Sequence, residues 1–112
     1  MKLNEYQTIA KLTARSDGDN GMNLLNWALG LGGEVGEFQN LVKKMTFHSH
    51  PVSGEKLADE LGDALWYLAL AADSLGYTLE DIAKMNLAKL SHRYPEGFSP
   101  ERSRNRDKDK DG

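Results

Sequence analysis

The chain has no cysteine among its 112 residues. That excludes disulfide scaffolds, cysteine zinc sites, thiol nucleophiles and iron–sulfur clusters. Only 3 prolines punctuate it, and β-branched residues are so sparse that few segments read as strands. Long apolar runs are missing as well. The longest, Ala64 to Ala72, is far short of the roughly 20 residues that span a bilayer, so no membrane partner is expected. The N-terminus shows no basic, apolar, small-residue leader pattern. A cytoplasmic protein is the expectation. At this length one domain with a real core is feasible, and two are not.

A positive excess is absent too. The net charge is −3, and residues 1–100 carry 9 Lys and Arg against 13 Asp and Glu. Phosphate neutralisation needs clustered cations, so an acidic body makes a poor nucleic-acid binder, and no such partner is expected. Any phosphate chemistry here would require metal ions.

What is present is helical periodicity. A first helix is predicted from about Asn4 to Arg15, with Asn4 and Gln7 resembling a capping box and Tyr6, Ile9, Ala10 and Thr13 at helical spacing. The run Ser16 to Gly21 reads as a loop. A second helix runs from about Met22 to Met45 and is stopped by His48-Ser49-His50-Pro51. The third starts at the cap residue Ser53 and ends at Leu75, with Gly76 as its C′ residue. Thr78 caps the fourth, which reaches Tyr94. Short connections make these antiparallel neighbours in an all-α, four-helix-bundle-like fold over residues 1–98. Residues 99–112 are polar, charged and aperiodic, with nothing to bury, so a disordered tail is expected.

The second and third helices repeat one chemical pattern. Glu34 and Glu37 are spaced i,i+3, and so are Glu60 and Asp63; such pairs share one helix face. At about 100° per residue, Leu31, Phe38, Val42 and Met45 form an apolar stripe on the second helix. Leu57, Leu61, Ala64, Leu68 and Leu75 form one on the third, and the acidic pairs lie at the stripe margins. Antiparallel packing would bring all four carboxylates to one edge of the seam.

Two unit charges about 5 Å apart repel by about 3 kcal/mol at an effective dielectric of 20. A solvated acidic face would avoid that cost. Four carboxylates at a core margin would need relief, and Arg15 is the only basic residue between Lys11 and Lys43. Hard divalent cations supply it, and an all-oxygen ligand set favours Mg²⁺ or Mn²⁺ over Zn²⁺. A di-iron site would want Glu-x-x-His, which neither pair provides.

Other residues carry weaker signals. Gly30, Gly32, Gly33 and Gly36 in the second helix suggest either close approach of a neighbour or a break near Gly32-Gly33. Asn86, Lys89 and Arg93 share a face of the fourth helix, beside a stripe of Leu79, Ala83, Leu87 and Leu90. That face suits phosphate binding or simply complements the helix dipole. Lys44 falls on the Glu37 face, where a phosphate contact is conceivable, while His48 and His50 read as solvated loop residues. Trp27 is expected in the core. Trp66 and Leu70 lie off the third helix's stripe and suggest a partner surface, most simply in a homodimer.

The run Gly33-Glu34-Val35-Gly36-Glu37, followed after 22 residues by Glu60-Leu61-Gly62-Asp63, resembles the ExxE…ExxD signature of MazG-like nucleoside triphosphate pyrophosphohydrolases. The flanks Leu57-Ala58-Asp59 and Ala64-Leu65-Trp66-Tyr67-Leu68 fit, as does NLAKLSHRYPEGF from Asn86 to Phe98. The resemblance covers about residues 3–98 and implies an all-α fold assembled as a dimer or a dimer of dimers. It further implies Mg²⁺-dependent cleavage of a nucleoside triphosphate to monophosphate and pyrophosphate in nucleotide-pool house-cleaning. Glu34, Glu37, Glu60 and Asp63 would then be metal ligands. Lys89 and Arg93, spaced as the family's KxxxR, would hold phosphates, with Asn86 a further substrate contact and Glu37 the favoured general base. The alternatives are a narrower enzyme of the superfamily (dUTPase-like or a phosphoribosyl-ATP pyrophosphatase) and a non-enzymatic helical dimerisation module with a structural metal site.

Overall fold

The computed structural model describes residues 1–15 and 18–105. It contains α1 (Leu3–Leu12), α2 (Asn20–Phe47), α3 (Gly54–Ser74), α4 (Leu79–Arg93) and α5 (Pro100–Arg104), with no strand among the described residues. The all-α expectation holds. Residues Met1–Thr78 make one compact unit, and a second begins at Leu79.

Local chemistry sets the helix ends. The Asp19 carboxylate accepts from the Met22 amide at 2.8 Å, which starts α2 two residues before the position read from periodicity. At its other end the amides of His48 and His50 both donate to the Lys44 carbonyl at 3.1 Å. Ser49 makes this turn in the left-handed region, φ 55°, where glycine or asparagine is the usual occupant. Ser53 Oγ accepts from the Lys56 amide at 3.0 Å and caps α3. Gly76, φ 82°, closes α3 as a C′ glycine.

In the first unit α2 and α3 run antiparallel, because Trp27 meets Trp66 and Tyr67 at one end and Glu34 meets Glu60 at the other. The Trp27 and Trp66 rings pack edge to face with centroids 5.8 Å apart, and Trp66 packs likewise on Tyr67 at 4.9 Å. Trp66 Nε1 donates to Thr13 Oγ1 at 2.8 Å, an exposed bond that ties α3 to the residue ending α1. Gly30 is required here: the Tyr67 ring occupies the place a Cβ would take. Helix α2 nevertheless continues unbroken past Gly32-Gly33, so the possible break is not realised. α1 docks on α3 through Gln7, whose Nε2 donates to the carbonyls of Ala69 and Tyr77, both at 3.1 Å. Lys11 Nζ pairs with Asp73 at 3.0 Å.

The rotation of α3 corrects the sequence reading. Leu61, placed in the expected stripe, is 54% exposed, and Leu68 and Leu75 are exposed with it. Leu70, expected on a partner surface, is 3% exposed, and Trp66 is half-buried beside it. The cause lies in the run Ala64–Ala72, which is apolar around nearly its whole circumference, so periodicity does not choose a face. Interlocking aromatic rings and α1 choose it. On α2, Leu31, Phe38 and Val42 are half-buried as expected, whereas Met45 is exposed. Trp27 is a core residue.

In the second unit, α4 has Glu80 and Asp81 in its first turn and His92 and Arg93 in its last, matching the helix dipole. Leu79 is buried, but Leu87 and Leu90 of the expected stripe are exposed. The chain after Phe98 is more ordered than expected. Ser99 Oγ accepts from the Arg102 amide at 3.1 Å and Pro100 stands in the first turn, so α5 forms. Arg102 then donates to the Arg93 carbonyl at 3.2 Å. The rest of the expected tail, residues 106–112, lies outside the described residues.

Candidate metal centre

Helical spacing of three puts Glu34 and Glu37 on one face of α2, and antiparallel packing sets Glu60 of α3 opposite them. One carboxylate oxygen from each of the three lies within 4.8 Å of the others. Glu60 is only 5% exposed, Glu34 is half-buried and Glu37 is open to solvent. Asp63, one turn further along α3, is exposed and stands outside this group of three. Its charge still reaches the site, since it helps push Glu34 up. It acts on α1 as well: burial first, then the charge of Asp63, raises the Tyr6 phenol.

The two facing glutamates are driven apart in acidity. Burial, then a hydrogen bond with Glu60, then the charges of Glu37, Asp63 and Glu60 push Glu34 up to about 7. Glu60 moves the other way, held low mainly by Lys56. The Lys56 ammonium lies 3.1 Å from Glu60 Oε1, one helical turn away. The remaining Oε2 atoms of Glu34 and Glu60 are buried without a hydrogen-bond partner. A buried carboxylate oxygen without a donor is costly. Three convergent carboxylates with two orphaned oxygens fit a hard divalent cation, which oxygen ligands alone can hold.

Lys56 was not singled out in the sequence. Its signal was available as the i,i+4 partner of a core-margin glutamate. The α4 residues lie in the second unit: Asn86 and Lys89 are exposed, and Arg93 is buried. His48 and His50 are exposed in the turn after α2, their rings edge to face at 6.5 Å.

An antiparallel helical pair whose seam ends in convergent carboxylates defines an all-α protein with the donor set of a divalent-cation site. Residues 23–98 match the model of the MazG nucleotide pyrophosphohydrolase domain, and the chain belongs to that family. It is 35% identical over 105 residues to the Gene 37 protein of Mycobacterium phage L5, an alignment covering 87% of this chain and 92% of that protein. No solved structure matches the chain. Among the described residues no helix is long and apolar enough to cross a membrane.

Proposed function

We propose that the chain is a Mg²⁺-dependent nucleoside triphosphate pyrophosphohydrolase, cleaving (d)NTPs between the α and β phosphates in cytoplasmic nucleotide-pool house-cleaning. The observation that carries this reading is the pair of buried, unpartnered oxygens on Glu34 and Glu60 within a group of three carboxylates. Family membership supports the reaction class. Glu34, Glu37, Glu60 and Asp63 are the proposed metal ligands; Mn²⁺ suits the same oxygen set. Bound Mg²⁺ would offset the charge of the triphosphate and polarise the phosphoryl group under attack.

The chain's own residues then divide the work. Glu60 is anchored by Lys56, and Glu34 is half-buried against it with one oxygen left unpartnered. Glu37 is the open, least committed member, so its carboxylate is the proton acceptor for the attacking water. The water oxygen bonds to the α-phosphorus, the bond to the bridging oxygen breaks, and pyrophosphate departs with that electron pair. Lys89 and Arg93 are the proposed phosphate contacts, with Asn86 a further contact to substrate.

A homodimer or homotetramer is part of the proposal. Leu25 and Leu29 on α2 and Leu61, Leu65 and Leu68 on α3 are all exposed, and large apolar residues left open in this number mark contact surfaces. Phosphorus NMR on a panel of NTPs and dNTPs tests the reaction. Monophosphate plus pyrophosphate, formed only with metal, is expected. Diphosphate plus orthophosphate would overturn the cleavage position, and no product from any nucleotide would leave a non-enzymatic helical module as the better reading.

A further inference from the structure

The turn between α2 and α3 encloses a concavity of about 420 Å³. Lys44, His50, Ser53 and Lys56 provide its polar wall, and Leu41 and Val52 its apolar one. Every ionisable side chain lining it is basic, although the body of the protein is acidic. The geometry is set by the backbone. Because the His48 and His50 amides share the Lys44 carbonyl and Ser49 adopts φ 55°, His50 is folded back against the last turn of α2. The His48 ring braces it edge to face. Ser53 is fixed by its capping bond to the Lys56 amide.

Lys56 connects this concavity to the acidic site. Its ammonium is bonded to Glu60 Oε1 at 3.1 Å, while its side chain forms one wall of the basic hollow. A cationic pocket is thus joined edge to edge with a carboxylate group through one residue. An extended anion that meets cations at the carboxylates would find further cations in this direction, reached through Lys56. Lys offers three donors and His a ring N–H to phosphate oxygens.

We infer that the α2–α3 turn is a diphosphate subsite, in which Lys44, His50 and Lys56 hold the terminal phosphates of the nucleotide and the departing pyrophosphate. The inference rests on the pyrophosphohydrolase reading for its substrate, but the subsite itself is testable without turnover. Asp59 and Glu55 flank the outer side of Lys56, lining a separate hollow with it and Ser53. They confine anion binding to the Lys44 side.

The test is calorimetric titration of the full chain with pyrophosphate at fixed Mg²⁺, and separately with AMP. Lys44→Met and His50→Leu are each expected to weaken pyrophosphate binding by about tenfold or more, while Mg²⁺ and AMP binding stay unchanged. Lys43→Met is the charge-matched control, because Lys43 does not line the hollow; it should bind pyrophosphate like the parent. Equal affinity in all four proteins, equal loss in the Lys43 control, or no pyrophosphate binding by a parent protein that cleaves triphosphates would each overturn the subsite. If pyrophosphate binds and the two variants lose it, yet the parent cleaves no nucleotide, the subsite stands and the proposed reaction falls.

Discussion

The two ends of the α2–α3 seam are built on opposite principles. At one end the rings of Trp27, Trp66 and Tyr67 interlock beside the buried Leu70, and the Trp66 indole donates to Thr13 Oγ1. At the other end Glu34, Glu37 and Glu60 converge, and two of their buried oxygens have no hydrogen-bond partner. The first end is complete as it stands; the second is satisfied only by something from outside. Stability is concentrated where the seam is apolar, and binding capacity where packing leaves charges in conflict.

Breaking the apolar end should cost the most. Trp27→Ala removes a buried ring and is expected to destabilise the fold by about 3–5 kcal/mol. Chemical denaturation would show it, with Mg²⁺ affinity in the surviving folded fraction preserved. Glu60→Gln should do the reverse, lowering Mg²⁺-dependent turnover about a hundredfold or more while helix content by circular dichroism is unchanged. Unaltered turnover would remove Glu60 from the site.

A glycine pair sharpens the contrast. Gly30→Ala places a methyl where the Tyr67 ring sits and is expected to cost about 1–3 kcal/mol. Gly36→Ala meets no atom within 4 Å and should stabilise the isolated chain by up to ~1 kcal/mol. If Gly36→Ala instead weakens a dimer by sedimentation, α2 is approached there by a second copy.

The smallest effect is a pH dependence confined to the acidic end. Glu34 is raised from 4.5 to about 7, so it favours the folded state while it holds a proton. That contribution is present below about pH 4.5 and is lost as pH rises through about 7. Thermal melts in chelator should therefore fall between pH 5 and 8, and Glu34→Gln should flatten the slope. Saturating Mg²⁺ should flatten it too, because the cation replaces the proton.

Much of this was legible in the sequence, and the failures are informative. Caps and stops place α3 within a residue, because Ser53 and Gly76 act through local bonds that sequence displays directly. The convergence of Glu34, Glu37 and Glu60 followed from i,i+3 spacing on antiparallel neighbours. The roll of α3 did not, since Leu61, Leu68 and Leu70 are equally apolar and only tertiary partners distinguish them. Lys56 was hidden for a related reason: a lysine one turn before a glutamate is ordinary on an exposed helix and matters only once Glu60 is known to be buried. The first turn of the tail was missed because a Ser-Pro start can form a short helix where the body gives its arginine carbonyls to bind.

Gln7 has a dynamic consequence. Its single amide nitrogen spends both hydrogens, one on Ala69 within α3 and one on Tyr77 beyond the helix end. If α1 detaches, two carbonyls eight residues apart in sequence lose a donor together. Amide exchange in α1 and at the C-terminal end of α3 should consequently open as one cooperative unit, with matched protection factors. Gln7→Leu, which keeps the bulk but not the donors, should uncouple the two.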